Sequence, residues 1–179
     1  MSEADGASPR EIVVEACRRD QPHLIDQVIA SMNDKTNEQV AEFFNGVTDS
    51  MGNYALHICA MYGSYDTMDV LFDIEFFECD PQNRLDRDAP LHIAVKYANE
   101  KDAELGLAMI KMMTEAGCDP RVRNKGGLKA ENMLLKSNPQ ADEIRKVLAK
   151  AEYMYNEGIH AAEEERRMEE EGGSGSESD

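Results

Sequence analysis

Basic residues are scarce in this chain: 19 lysines and arginines stand against 36 aspartates and glutamates in 179 residues, a formal charge of −17. A surface so short of cations repels phosphate backbones and anionic lipid, which excludes duplex nucleic acid and membrane surfaces as partners and leaves basic proteins or cations. No apolar stretch approaches the roughly 18 residues of a spanning helix. The opening MSEADGASPR has neither the basic n-region nor the apolar h-region of a secretory signal. The expected location is therefore the cytosol or the nucleus. Cys17, Cys59, Cys79 and Cys118 never form a C-x-x-C pair and sit among apolar neighbours, so they read as reduced, buried thiols. A P-loop, a G-x-G-x-x-G turn and a G-x-S-x-G elbow are all missing. Zinc needs three or four converging ligands, and His57-x-Cys59 has no second pair at a matching spacing. A catalytic couple of Cys59 and His92 is equally unsupported, because a nucleophilic thiol requires an accessible, electropositive setting. The expectation is a chain that is not an enzyme and takes no metal or cofactor.

What the sequence does contain is length for one core, with 41% apolar residues, and a repeat. GNYALHICAMYG (52–63) aligns with RDAPLHIAVKYA (87–98), and both carry Leu-His-Ile. Each is followed by an apolar helix-like run, MDVLFDIEFF (68–77) and LGLAMIKMMTEAG (105–117), and then by Cys-Asp-Pro. Leu56-His57 and Leu91-His92 with these surroundings resemble the ankyrin repeat, whose signature is Thr-Pro-Leu-His-x-Ala opening the first of two antiparallel helices. His57 and His92 lie 35 residues apart, near the family period of about 33. A third copy, RNKGGLKAENMLLKS (123–137), places Asn132 where the histidine belongs, 40 residues after His92, and the excess is assigned to ANEKDAELG between two helices. A degenerate first copy is IVVEACRRDQPHLIDQVIAS (12–31), followed by a short extra helix in NEQVAEFFNGV (37–47).

The resemblance implies an all-α solenoid of about four helix-turn-helix units with a C-terminal capping helix. Repeats are placed near 9–48, 49–83, 84–123 and 124–150, and the cap runs to about 159. Residues 1–8 are expected to be disordered and 160–179 to form an acidic tail, helical or frayed. The physics agrees, because stacked first helices need small residues and Ala16, Ala60, Ala94 and Ala98 supply them. Second helices carry bulkier packing, Met109, Met112 and Met113 among it. Phe76 and Phe77 close an extended second helix, either as a satellite core or as a partner anchor.

Ankyrin-like proteins bind partners through finger tips and first-helix faces, so the resemblance implies contacts at Ser50, Met51, Asn53, Met61 and Tyr62, at Leu85, Asp86, Asp88, Lys96 and Tyr97, and at Lys125, Leu128 and Lys136. Tyr62 and Tyr97 fall at equivalent places, as a partner hot spot or as shields of the repeat interface. His57 and His92 are read as structural, bonding finger backbones. Charge is uneven, since residues 121–150 hold 8 basic and 3 acidic side chains. The leading expectation is a protein-binding module, monomeric when free, that escorts or chaperones a basic protein. The alternative is a regulatory or scaffold subunit docking an acidic partner through 121–150. Ser174 and Ser176 have acids three residues on, a spacing that suits acid-directed kinases or marks an inert spacer.

Overall fold

Helix-starting signals are explicit at the chain's beginning. Ser8 accepts from the Glu11 N–H while Glu11 reaches back to the Ser8 N–H, a reciprocal box that starts α1 (Pro9–Arg19), and Pro22 opens α2 (Pro22–Ser31). Thr36 and Gln39 repeat the device for α3 (Asn37–Gly46). A computed structural model describes residues 6–172 and contains further α4 (Ala55–Tyr62), α5 (Tyr65–Phe72), α6 (Pro90–Glu100), α7 (Ala103–Glu115), a 3₁₀ turn (Ala130–Met133) and α8 (Ala141–Gly172). Among the described residues there is no strand, only an isolated bridge between Thr48 and Tyr54.

Two layers result. α1, α4, α6 and the 3₁₀ turn stack as the inner row, while α2, α5, α7 and α8 stack behind them, the two helices of each unit packing on one another. Ala16, Ala60, Ala94 and Ala98 are buried in the inner row, where small side chains let helices approach. Gly106 permits the closest approach, since a Cβ there would collide with Ala98. Leu71, Met109, Ile110, Met113, Ile144 and Leu148 fill the space behind. The fold is thus the all-helical solenoid that the repeat implied.

Three local expectations change. The second helix of the second unit stops at Phe72 rather than running to Phe77: Asn45 holds the loop by donating to the Phe76 carbonyl and accepting from the Glu78 N–H, and Phe76 takes a left-handed φ of 66°. Phe77 packs edge-on against Phe72, while Phe76 stays exposed. The long spacing after His92 is helical instead of looped. α6 and α7 have 11 and 13 residues against 8 and 8 in α4 and α5, and a two-residue turn, Lys101 and Asp102, joins them.

The fourth unit's first helix shrinks to the 3₁₀ turn. Asn99 explains how this short piece is satisfied, because it donates to the Met133 carbonyl and accepts from the Leu135 N–H and the Asn138 side chain. Of the two forms expected for the acidic extension, helical or frayed, the described part is helical: α8 runs unbroken through the cap to Gly172 over about 48 Å. Its first part buries Ala141, Ile144 and Leu148 against α7, and its last part, from Tyr153, is mostly exposed. From Glu157 on, its described glutamates are exposed.

Candidate interaction groove

Three loops project in front of the inner helices, and one short side chain heads each. Asp49 accepts from Met51 and Asn53 N–H, Asn83 from Asp88 N–H, and Asn124 from Gly126 and Leu128 N–H. The same residues close each loop on itself by backbone bonds, Asp49 to Asn53, Asn83 to Asp88 and Asn124 to Leu128, all of 2.9 Å. These side-chain bonds, Asx turns at Asp49 and Asn124 and a wider closure at Asn83, make a tight finger without a strand. The second finger holds one extra residue, accommodated by Arg87 at a left-handed φ of 53°. These anchors were missed in the sequence, although an Asp or Asn stands eight, nine and eight residues before His57, His92 and Asn132.

The histidines tie fingers to one another. His57 Nδ1 accepts from the Tyr54 N–H at 3.1 Å, so Nε2 carries the proton and donates to the Asp88 carbonyl at 2.6 Å. His92 repeats this one unit on, with the Ala89 N–H and the Leu128 carbonyl. Burial holds the His57 pKa below its ordinary value, opposed by the Asp88 carbonyl and nearby carboxylates. Both rings are therefore structural, and each of their nitrogens is already engaged. Asn132 reproduces only the first half, accepting from the Lys129 N–H at 2.9 Å. Further rungs run from Asn83 to Asn53 and from Asn124 to Asp88, with Arg84 N–H to Gly52 and Lys125 N–H to Asp86 between backbones.

Below this ladder lies an open groove of about 400 Å³ lined by Met51, Asn53, Met61, Leu85, Asp86, Lys96 and Tyr97, seven of the thirteen contact positions inferred from the repeat. Asn83, Ile93, Glu100 and Lys101 complete it and were not foreseen. Met51, Leu85 and Met61 are 52%, 54% and 39% exposed, an apolar row that backbone and side-chain bonds hold in place. Tyr97 leans over Gly63, where a Cβ would strike its hydroxyl, and burial, with Asp102 nearby, raises its phenol pKa. Tyr62 is exposed and is not among the residues lining this groove. Ser50 is exposed and its carbonyl takes Arg84; Lys125, Leu128 and Lys136 are exposed further along the row.

Asp88 requires correction. Its side chain is fully buried, bonded to Lys96 Nζ at 2.6 Å and to Asn124 at 3.0 Å, because its carbonyl must sit inside to receive His57. It braces the groove and cannot touch a partner. The basic stretch also changes character. Arg121 chelates Asp119, donates to Asn156 and lies 4.4 Å over the Tyr155 ring, while Lys129 pairs with Glu152 and Arg145 with Asp142. Ser174 and Ser176 lie outside the described residues.

Cys59 is buried against Cys17, and burial pushes its thiol pKa well up, which is a neutral packing thiol and no nucleophile. Among the described residues no three His, Cys, Asp or Glu side chains are grouped to hold a metal ion, and no helix is long and apolar enough to cross a membrane.

No family model matches the chain. It is 36% identical over 149 residues to the ankyrin repeat-containing protein YGL242C of Saccharomyces cerevisiae, an alignment spanning 83% of this chain and 80% of the yeast protein. With paired helices, linked fingers and forward-bonding histidines already in view, this likeness establishes that the chain belongs to the ankyrin-repeat family.

Proposed function

We propose that this member of a family of protein-interaction modules is a non-catalytic escort or assembly chaperone for a basic protein. The observation that carries the reading is the exposed Met51, Met61 and Leu85 beside Tyr97, a preformed apolar row in a molecule of net charge −17. Rigid fingers present these side chains at little ordering cost, which favours affinity, and the surrounding acid excess favours cationic partners and speeds their approach. α8 adds to that field with Glu163, Glu164, Glu165, Glu169, Glu170 and Glu171 on exposed turns. The free protein acts as a monomer in a reducing compartment, the cytosol or nucleus, in keeping with four free thiols.

Docking of an acidic partner on 121–150 has less support. Arg121, Lys129 and Arg145 already have carboxylate partners, and Arg121 is a brace for α8. Quantitative pull-down from lysate with wild type and Leu85→Asp, at low and high salt, tests the choice. Basic proteins should be enriched at low salt and fall away in Leu85→Asp; an unchanged set, or no basic protein, overturns the proposal. Capture of acidic proteins that Arg123→Glu/Lys125→Glu abolishes would establish the other reading instead.

A further inference from the structure

The connections after the second and third units carry the same triplet, Cys79-Asp80-Pro81 and Cys118-Asp119-Pro120, and neither cysteine has a part in the groove. The fold lays one triplet on the other. Asp119 N–H donates to both carboxylate oxygens of Asp80, at 3.0 and 3.2 Å, and the Cys118 thiol points at the Cys79 carbonyl at 3.6 Å. Cys79 Sγ lies 3.7 Å from the Ala116 carbonyl, beside Cys118 in the chain. The two thiol groups thus lie side by side where the connections stack, near enough for each to shift the other's titration.

Their surroundings differ in a way that assigns roles. Cys79 is half-buried and open to small solutes, whereas Cys118 is only 2% exposed. The neighbouring Cys118 thiol lowers the Cys79 pKa, although burial and Asp80 oppose this; the Cys79 thiol, with burial, drives Cys118 well up. One sulfur is accessible and biased to thiolate, and the other is protonated and in contact with it. That is the division between an attacking thiol and a resolving one.

We infer that Cys79 and Cys118 close an intramolecular disulfide when the protein meets a peroxide. The Cys79 thiolate attacks one oxygen of hydrogen peroxide, the O–O bond breaks, and Cys79 sulfenic acid and hydroxide form; hydroxide takes a proton to become water. Cys118 sulfur then attacks the Cys79 sulfur, the S–O bond breaks, and the Cys118 proton leaves with the sulfenic oxygen as a second water. Two thiols are oxidised by two electrons and one peroxide is reduced to two waters. An S–S bond is about 2.0 Å long, so its formation draws the two connections together. Gln82, three residues past Cys79, already bonds the Arg87 and Arg123 carbonyls, so the cross-link fixes the base of the second and third fingers. Cys17 and Cys59 supply an internal control, because they also touch but are both 0% exposed.

The full chain gives a direct test. A protease that cuts after glutamate places the four cysteines on separate peptides, 16–38, 43–75, 79–100 and 116–131. After brief hydrogen peroxide treatment and alkylation in denaturant, intact mass should fall by about 2 Da before labelling, two thiols should escape label, and 79–100 should be joined to 116–131 until dithiothreitol releases it. Cys118→Ser should instead accumulate a dimedone-reactive sulfenic acid on Cys79, and the wild-type peptide map stands alone if that variant misfolds. Three results would each overturn the inference: Cys79 going to sulfinic acid with Cys118 still labelled, Cys79 linking two chains, or 16–38 joining 43–75 as readily.

Discussion

Asp80→Asn should stabilise this protein, and by an amount that depends on pH. Asp80 is half-buried under Asp119, and burial, reinforced by the Asp119 charge, pushes its carboxyl pKa up to about 6 from an ordinary 3.8, against the lowering effect of the Asp119 N–H. Between those values the native protein holds a proton that the unfolded chain has lost, so unfolding free energy falls as pH rises through the window, and above about 6 the whole penalty is present. A shift of that size corresponds to about 3 kcal/mol. Solvent reaching one side of the carboxylate screens it, and about 1–2 kcal/mol is the working figure. Asparagine cannot ionise and keeps an oxygen for the Asp119 N–H, so the substitution removes the penalty and leaves the bond. Urea denaturation at pH 5 and pH 8 should show the variant more stable at both, with roughly twice the gain at pH 8 and an unchanged m value. A gain that is equal at the two pH values would trace to chain propensity instead, and a loss at pH 8 would mean that the ionised carboxylate is a net stabiliser of the stacked loops; either refutes the reasoning.

Three further outcomes follow from the ladder and from α8. His57→Ala leaves the Tyr54 N–H and the Asp88 carbonyl inside without partners, each costing about 1–3 kcal/mol, so equilibrium unfolding should register a loss of about 3–4 kcal/mol. Because burial lowers the His57 pKa, wild-type stability should also fall as pH drops below about 6.5, where the unfolded ring gains a proton that the native ring refuses, and that acid sensitivity should weaken in His57→Asn. Arg121→Ala removes the bond to Asn156 and the stack on Tyr155, which together fasten the middle of α8 to the third connection. Hydrogen exchange should accelerate about tenfold in 150–160 with little change in α4 or α6, as expected for a loss of about 1.4 kcal/mol in local stability.

How much of this was legible in the sequence depends on the range of the interaction. Leu56-His57 and Leu91-His92 announce helix starts because the cap is made within three residues, and Ala60 and Ala94 announce close stacking because size alone decides it. Asn138-Pro139 marks the entry to α8 for the same local reason. The finger anchors Asp49, Asn83 and Asn124 were present at nearly constant offsets, but their meaning lies in bonds to N–H groups two to five residues on, which composition does not expose. Asp88 illustrates the opposite failure: its position in the repeat says surface, while a carbonyl bond from His57, 31 residues earlier, draws it inside. Charge counting at 121–150 does not show which cations are engaged, since Lys129 and Glu152, or Arg121 and Asn156, meet only once α8 has docked.

Asn132 shows why the last unit departs from the pattern. A histidine at this position has two duties, one ring nitrogen capping its own helix and the other reaching the carbonyl of the finger ahead. After the third finger the chain enters α8, so no fourth carbonyl waits, and an imidazole N–H placed there would have to find water or remain unsatisfied. Asparagine does the first duty with Oδ1 and is exposed enough to hydrate the rest. The shortened helix has the same origin. With no further unit to stack upon it, the 3₁₀ turn needs only one packed face, and Asn99 with α8 supplies the partners that a longer helix would have found within itself. The solenoid therefore ends by losing, residue by residue, the groups whose partners would have belonged to a next repeat, and the freed edge is occupied by the root of α8.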